Sequence, residues 1–359
     1  MLKLILRILA WLRGGSFNLL LFAGIILIVW GILSPIGTII WWLGQSAESF
    51  GFKKNLPEIL PSQNDNLEAR SNKSAKSSPL NCYIIFLPGV GDFSGDELTP
   101  GEAFFLKNLV KSHPECVAVG DIFPYSASNK SLGGERLLAP FWRFAEHAKT
   151  GPIAGDIFIK IRNLWRFAIS LDYRYGQAYN QGIANVIIER MNAKSPIAVN
   201  PQKPLKVILI GTSGGAQVAL GATRYLKEWL NAEIAVISVG GVFSGENGFA
   251  EADRTFHFRG TRDSIEDIGG IVFPTRWYWF VTSPFNQARL KGRYAEVLSG
   301  PHKHDSDEGY FGENQVADGQ KYVDITLSKV NELPIWSEKK SSDNKHLAEI
   351  APAQKHRQD

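Results

Sequence analysis

From Gly14 to Ala47 the chain carries no charged side chain, and its centre, Phe17 to Leu43, reads FNLLLFAGIILIVWGILSPIGTIIWWL. About 20 apolar residues in a helix cross the hydrocarbon core of a bilayer, so a run of this length reads as a membrane span and not as a core helix. Trp41 and Trp42 close its far edge, a depth that suits indole because it joins an apolar ring system to one N–H donor. A cleaved secretory signal has a shorter apolar region and a small-residue cleavage site, and no convincing A-x-A site occurs here. Residues 1–47 are therefore expected to be a signal anchor, with the lipid bilayer as partner. Lys3, Arg7 and Arg13 precede the span, and Lys53 and Lys54 follow it. Basic residues resist translocation, so this small excess places the N-terminus in the cytoplasm. The remainder of this single-pass chain is then expected on the non-cytoplasmic side. The first dozen residues, MLKLILRILAWL, also fit a basic amphipathic helix lying in the interface.

Residues 48–80 mix Ser, Asn and charges with no apolar period, which predicts a flexible linker. Residues 337–359 read as a disordered tail for the same reason. What lies between, 81–336, is long enough for one sizeable domain. Over all 359 residues, 44% are hydrophobic and 21% charged, the proportions of a globular protein. The net charge of +4 is thin and scattered, which gives no sign of a nucleic-acid partner. Two cysteines are too few for a disulfide scaffold, and no CxxC or Cys/His pattern points to zinc.

Within 81–336, short apolar runs alternate with helical stretches. Cys82–Leu87, Cys116–Val119 leading to Ile122–Phe123, Val207–Ile210, Ile234–Val239 and Thr255–Phe258 read as strands buried on both faces. Helices are expected over Ala103–Ser112, Gln177–Met191 and Gln217–Asn231, the last with an apolar face through Val218, Leu226 and Trp229. This alternation predicts an α/β fold with a mainly parallel sheet and helices on both faces. If the domain lies outside the cytoplasm, Cys82 and Cys116 open what are expected to be adjacent strands and become candidates for a bridge, although spacing does not establish pairing geometry.

The third strand runs into Gly211-Thr212-Ser213-Gly214-Gly215, a G-x-S-x-G between a strand and a helix. A tight strand-to-helix turn forces its central residue into a strained conformation and needs small residues two positions away on either side. The serine then projects at a helix N-terminus, where N–H groups and the helix dipole favour developing negative charge. In this context the chain resembles the α/β-hydrolase superfamily, over roughly residues 80–330. The resemblance implies a nucleophile followed in sequence by an acid and a histidine, each after a later strand. Asp263, just past the turn that follows Thr255–Phe258, matches the acid. Gly300-Pro301-His302-Lys303-His304-Asp305 holds the histidine. His304 is favoured by its place before Glu308-Gly309-Tyr310, with His302 as the alternative base in what is expected to be an extended segment. His257 falls inside a strand, and the other histidines lie in helical, turn or tail regions.

One oxyanion donor is expected from the N–H of Gly214. The other is expected from the loop after the first strand, Leu87-Pro88-Gly89-Val90-Gly91-Asp92, with Val90 or Gly91 donating. That loop lacks the third glycine of a dinucleotide fingerprint, and no phosphate-binding lysine follows it. The segment His302-Lys303-His304-Asp305 lacks further ligands for a metal. No cofactor and no metal are expected.

Residues 125–200 occupy the position of a cap or lid insertion. They include Phe141–Phe144 and the apolar–basic run Ile157–Phe167, a composition shared by interfacial helices. A second aromatic run, Phe273–Phe280, lies between acid and histidine; packing of a cap onto the core explains either run as well. With the anchor, these features favour a membrane-anchored serine hydrolase of the lipase-like, carboxylic-ester type. Its expected substrate is a lipid or other apolar ester, or a small-molecule ester. A thioesterase or peptidase with the same residues, or an inactive hydrolase-fold binding protein, are the alternatives. Oligomeric state is not legible.

Overall fold

Five apolar runs form strands, and each is bounded by the residue types that end a strand. The computed structural model describes residues 81–92, 98–127, 129, 155–197, 204–246 and 248–336. By contacts the chain divides into Met1–Ser74 and Ala75–Asp359, and every described residue belongs to the second unit. The expected span, linker and tail, and residues 130–154 with Phe141–Phe144, lie outside the described residues. Among the described residues no helix is long and apolar enough to cross a membrane.

The order of elements is β1 (Cys82–Leu87), α1 (Pro100–Ser112), β2 (Cys116–Val119), α2 (Gly155–Leu171), α3 (Gly176–Lys194), β3 (Lys206–Thr212), α4 (Gly215–Leu230), β4 (Glu233–Val239), β5 (Arg254–Gly260), α5 (Ser264–Val272), α6 (Pro284–Leu290), β6 (Tyr294–Gly300) and α7 (Tyr322–Asn331). The six strands form one sheet in the order β2-β1-β3-β4-β5-β6. All five pairings are parallel. This is the α/β class with the parallel sheet that the alternating runs predict.

Side chains alternate across each strand, and the two faces are covered separately. Cys82, Ile84, Phe86, Ile208, Ile210 and Ile237 join Phe105 and Leu109 of α1 and Val323 and Val330 of α7 in one buried cluster. The intervening Tyr83, Ile85, Leu87, Val207 and Leu209 are also buried and face α3 and α4. The Tyr83 hydroxyl donates to the carbonyl of Ser195 at 2.8 Å, where α3 ends. At the sheet edge, Cys82 and Cys116 stand opposite each other in register and form a disulfide.

Four expectations change. α1 begins three residues before Ala103 because Thr99 and Glu102 form a reciprocal capping box around Pro100, which satisfies amide donors at the helix start. β6 was not expected: Glu296 and Leu298 are exposed on this edge strand, so it lacks the unbroken apolar run of a central one. The segment from Pro301 to Tyr310 is mostly bends and turns, with Lys303 in an isolated bridge to Gly309, and not a regular extended strand. The expected cap at 125–200 divides: Gly176–Lys194 packs against α4 and β2 as part of the sheet's helical layer. Only α2, within the described part, approaches the loops after β1 and β3.

Candidate active site

The turn between β3 and α4 is built by steric exclusion. Ser213 has φ of 48°, a left-handed conformation that costs a non-glycine residue roughly 1–3 kcal/mol. Surrounding hydrogen bonds hold it there: its N–H donates to Val239 O at 3.2 Å, and its carbonyl accepts from Val242 N at 3.0 Å and Ala216 N at 3.2 Å. A Cβ on Gly211 would lie 2.5 Å from Ala216 Cα, and one on Gly215 would lie 2.3 Å from Leu87 O. Gly211 and Gly215, the outer glycines of the pentapeptide, are thus required by close backbone approach.

The Ser213 hydroxyl donates to His304 Nε2 at 2.9 Å. His304 Nδ1 lies 3.0 Å from both oxygens of Asp263. The carboxylate holds the imidazole proton on Nδ1 and so leaves Nε2 as the acceptor facing the serine. Ser213 is half-buried, the His304 side chain is 15% exposed and that of Asp263 is wholly enclosed. The structure therefore brings three of the expected residues into one hydrogen-bonded chain.

Asp263 has other partners. Its Oδ1 accepts from the amides of Ile265 at 3.1 Å and Glu266 at 3.0 Å, so it is the N-cap of α5. The Tyr310 hydroxyl donates to Oδ2 at 2.8 Å and accepts from Gly260 N–H at 2.8 Å. Burial pushes the carboxyl pKa up, but the bond and charge of His304, the Glu266 amide and Tyr310 outweigh it and hold the pKa below its ordinary value. Asp263 is thereby kept as an anion.

His302 does not join this chain. It is fully buried, with Nδ1 3.1 Å from Ser299 Oγ and Nε2 3.0 Å from the carbonyl of Tyr322. Its ring stacks on Tyr310 at 5.0 Å between centroids. Burial depresses its pKa despite the bond to Tyr322, so it is a neutral packing residue beneath the site.

The loop after β1 sits beside the β3–α4 turn. A Cβ on Gly89 would lie 3.4 Å from Ser213 Cβ, and Val90 Cγ1 is 2.8 Å from where a Cβ on Gly214 would be. Asp92 N–H closes on Gly89 O at 3.3 Å, which places Val90 and Gly91 in the middle of a turn, where their amides have no acceptor within it. Gly214 opens α4, where the first amides have no intrahelical acceptor. Asn163 of α2, itself buried, fixes the loop: its side-chain nitrogen donates to Val90 O at 2.9 Å and Asp92 O at 2.8 Å. Arg162 donates to Asn163 Oδ1 at 2.9 Å and to Tyr125 O at 2.7 Å.

The sequence reading did not assign Asn163 or Tyr310 a part in the site. The one available signal was a lone asparagine in the apolar–basic run of α2. Also unforeseen is a second serine–histidine–carboxylate chain, in which His257 lies between Ser238 Oγ at 3.0 Å and Glu266 Oε1 at 2.9 Å. Ser238 and His257 are completely buried, so no substrate reaches this chain. Arg276 and Arg259 also meet Glu266, at 3.1 and 2.8 Å, and the cluster anchors the helix that Asp263 caps. Among the described residues no group of three His, Cys, Asp or Glu side chains is disposed to hold a metal ion.

In comparisons with known proteins, no family model matches the chain and no curated protein matches it.

Proposed function

We propose that the chain is a membrane-anchored serine hydrolase that cleaves an ester, of a lipid or another apolar acyl substrate, with Ser213, His304 and Asp263 as its triad. One observation carries this reading: Ser213, strained at φ 48°, points its hydroxyl 2.9 Å from a histidine nitrogen whose other nitrogen is held by a buried carboxylate. The order nucleophile, acid, histidine after β3, β5 and β6 supports a likeness to the α/β-hydrolase superfamily.

In this mechanism Ser213 Oγ attacks the acyl carbonyl as His304 Nε2 takes its proton. Asp263 stabilises the imidazolium, and the amides of Gly214 and Val90 meet the oxyanion. Collapse breaks the bond to the alcohol, which leaves with the proton from His304. Water, deprotonated by the same nitrogen, then releases the acid and restores Ser213.

Location outside the cytoplasm is supported by the Cys82–Cys116 disulfide, because such bonds persist in oxidising compartments. The reaction is tested with a fluorophosphonate probe on the full chain in membranes. Labelling that disappears in Ser213→Ala supports the reading, and equal labelling of both proteins refutes it.

A further inference from the structure

α5 turns one side inward and leaves the other uncovered. Inward, Gly269 faces Val242, whose amide binds the carbonyl of Ser213. Outward, Ile268, Ile271 and Val272 are 53%, 68% and 59% exposed. The chain then turns through Pro274–Arg276 into Trp279 and Val281, 74% and 54% exposed. Hydrogen bonds tie these pieces into one surface: Trp277 Nε1 donates to Ile271 O at 3.1 Å, and Asn286 of α6 donates to Trp277 O and Phe280 O at 2.8 and 2.9 Å. So continuous a run of exposed apolar side chains on a soluble face marks an interaction site.

We propose that this α5–α6 face docks onto a lipid bilayer and seats the Ser213 site at the membrane surface. Charge selects the occupant. No acidic residue occurs between Asp267 and Glu296, whereas Arg276, Arg289, Lys291 and Arg293 all fall in that interval. Arg276 is held inside by Glu266 and Arg293 by the carbonyls of Phe249 and Ala252. Lys291 is exposed, and Arg289 lies over Tyr278 at 4.1 Å, which leaves both at the rim, where anionic headgroups attract them. Trp and Tyr beside aliphatic side chains match the polarity gradient of an interface. The sequence supplies the membrane: an apolar run of bilayer length closes at Leu43, 38 residues before Asn81, the first described residue. The consequence for catalysis rests on the proposed function, but the docking does not.

The full chain is reconstituted in phosphatidylcholine–phosphatidylglycerol vesicles, under non-reducing conditions that keep the disulfide. A spin label is placed at Trp279→Cys or, for comparison, at Lys107→Cys, an exposed position on α1, which packs beside β2 at the opposite edge of the sheet from β6. The label at 279 is expected to be several-fold more accessible to oxygen than to a water-soluble nickel complex, with the label at 107 showing the reverse. Equal aqueous exposure at both sites overturns the proposal. So does spin–spin broadening at 279 that fades on dilution in lipid, which would make a second copy the occupant. In a second arm, Ile271→Asp with Trp279→Asp is expected to slow hydrolysis of a vesicle-embedded ester about tenfold and leave a soluble short-chain ester unchanged. Equal loss on both esters overturns the link to catalysis. If neither ester is hydrolysed by the unaltered chain, the proposed function fails, and the label accessibilities still decide docking.

Discussion

The side-chain amide of Asn163 donates to the carbonyl of Val90 at 2.9 Å, so a helix that follows β2 controls the turn that follows β1. An oxyanion donor is worth about 3 kcal/mol when its direction is fixed in advance. Asn163→Ala frees the turn without removing the donor. It is expected to lower kcat by about 10–100-fold with little change in KM, and to weaken a boronate inhibitor in proportion. A purely structural role would lower the melting temperature and leave inhibitor affinity unchanged.

The strained turn at Ser213 separates function from stability. Ser213→Ala and Ser213→Gly are both expected to lose esterase activity. The glycine variant relieves a φ of 48° that alanine retains, so it should be more stable than the alanine variant by about 1 kcal/mol. Denaturant midpoints of the two proteins measure the difference.

The two histidines divide in the same way. His304→Ala removes the proton acceptor of Ser213 and is expected to reduce turnover by at least ~100-fold, with a small effect on folding. His302→Ala removes a buried ring held by Ser299 and Tyr322. That should cost about 2–4 kcal/mol of stability, while the folded fraction keeps turnover within a few-fold. Kinetics normalised to folded protein distinguish the two.

Acid should destabilise the domain through groups near the site. Burial raises the Glu266 pKa, but the bond and charge of His257 and the charge of Arg276 bring it down to about 2 from an ordinary 4.5. A carboxylate with a depressed folded pKa stabilises above its unfolded value and loses that contribution as pH falls through the folded one. The contribution is on the order of 3 kcal/mol. Asp263 acts in the same direction. His302, depressed below 6.5, adds a loss that begins as pH falls below that value. In Glu266→Gln, the slope of stability against pH between about 4.5 and 2 should flatten, which urea titration at several pH values will show.

The central strands were legible because burial on both faces leaves an uninterrupted apolar run, and β1, β3 and β4 have one. β6 was not, because Glu296 and Leu298 stand exposed on an edge. α5 was missed for a different reason. It is nine residues long and contains Gly269-Gly270, and its start signal, Asp263 before Ser264-Ile265-Glu266, was read only as the acid. One carboxylate serves as both cap and histidine partner. Ser213, Asp263 and His304 were readable from the pentapeptide in its strand–turn–helix setting and from their order along the chain. Tyr310 and Asn163 were not, because their bonds to Asp263 and Val90 span 47 and 73 residues and leave no local pattern. His302 meets Ser299 and Tyr322 while His304 meets Ser213 and Asp263, where a regular extended chain would have turned both the same way.

The parallel sheet sets the timing of assembly. β1 lies between β2 and β3, so the first described strand must wait for its second partner, more than a hundred residues further along. Closing such long loops is slow compared with forming a helix or a hairpin. Val90, Ser213, Asp263 and His304 follow four different strands, and their arrangement exists only once those strands have joined. A nascent or truncated chain that ends before β6 has Ser213 but not His304. On the function proposed above, such a chain stays inert through synthesis and gains its proton relay only with its last strand pairing.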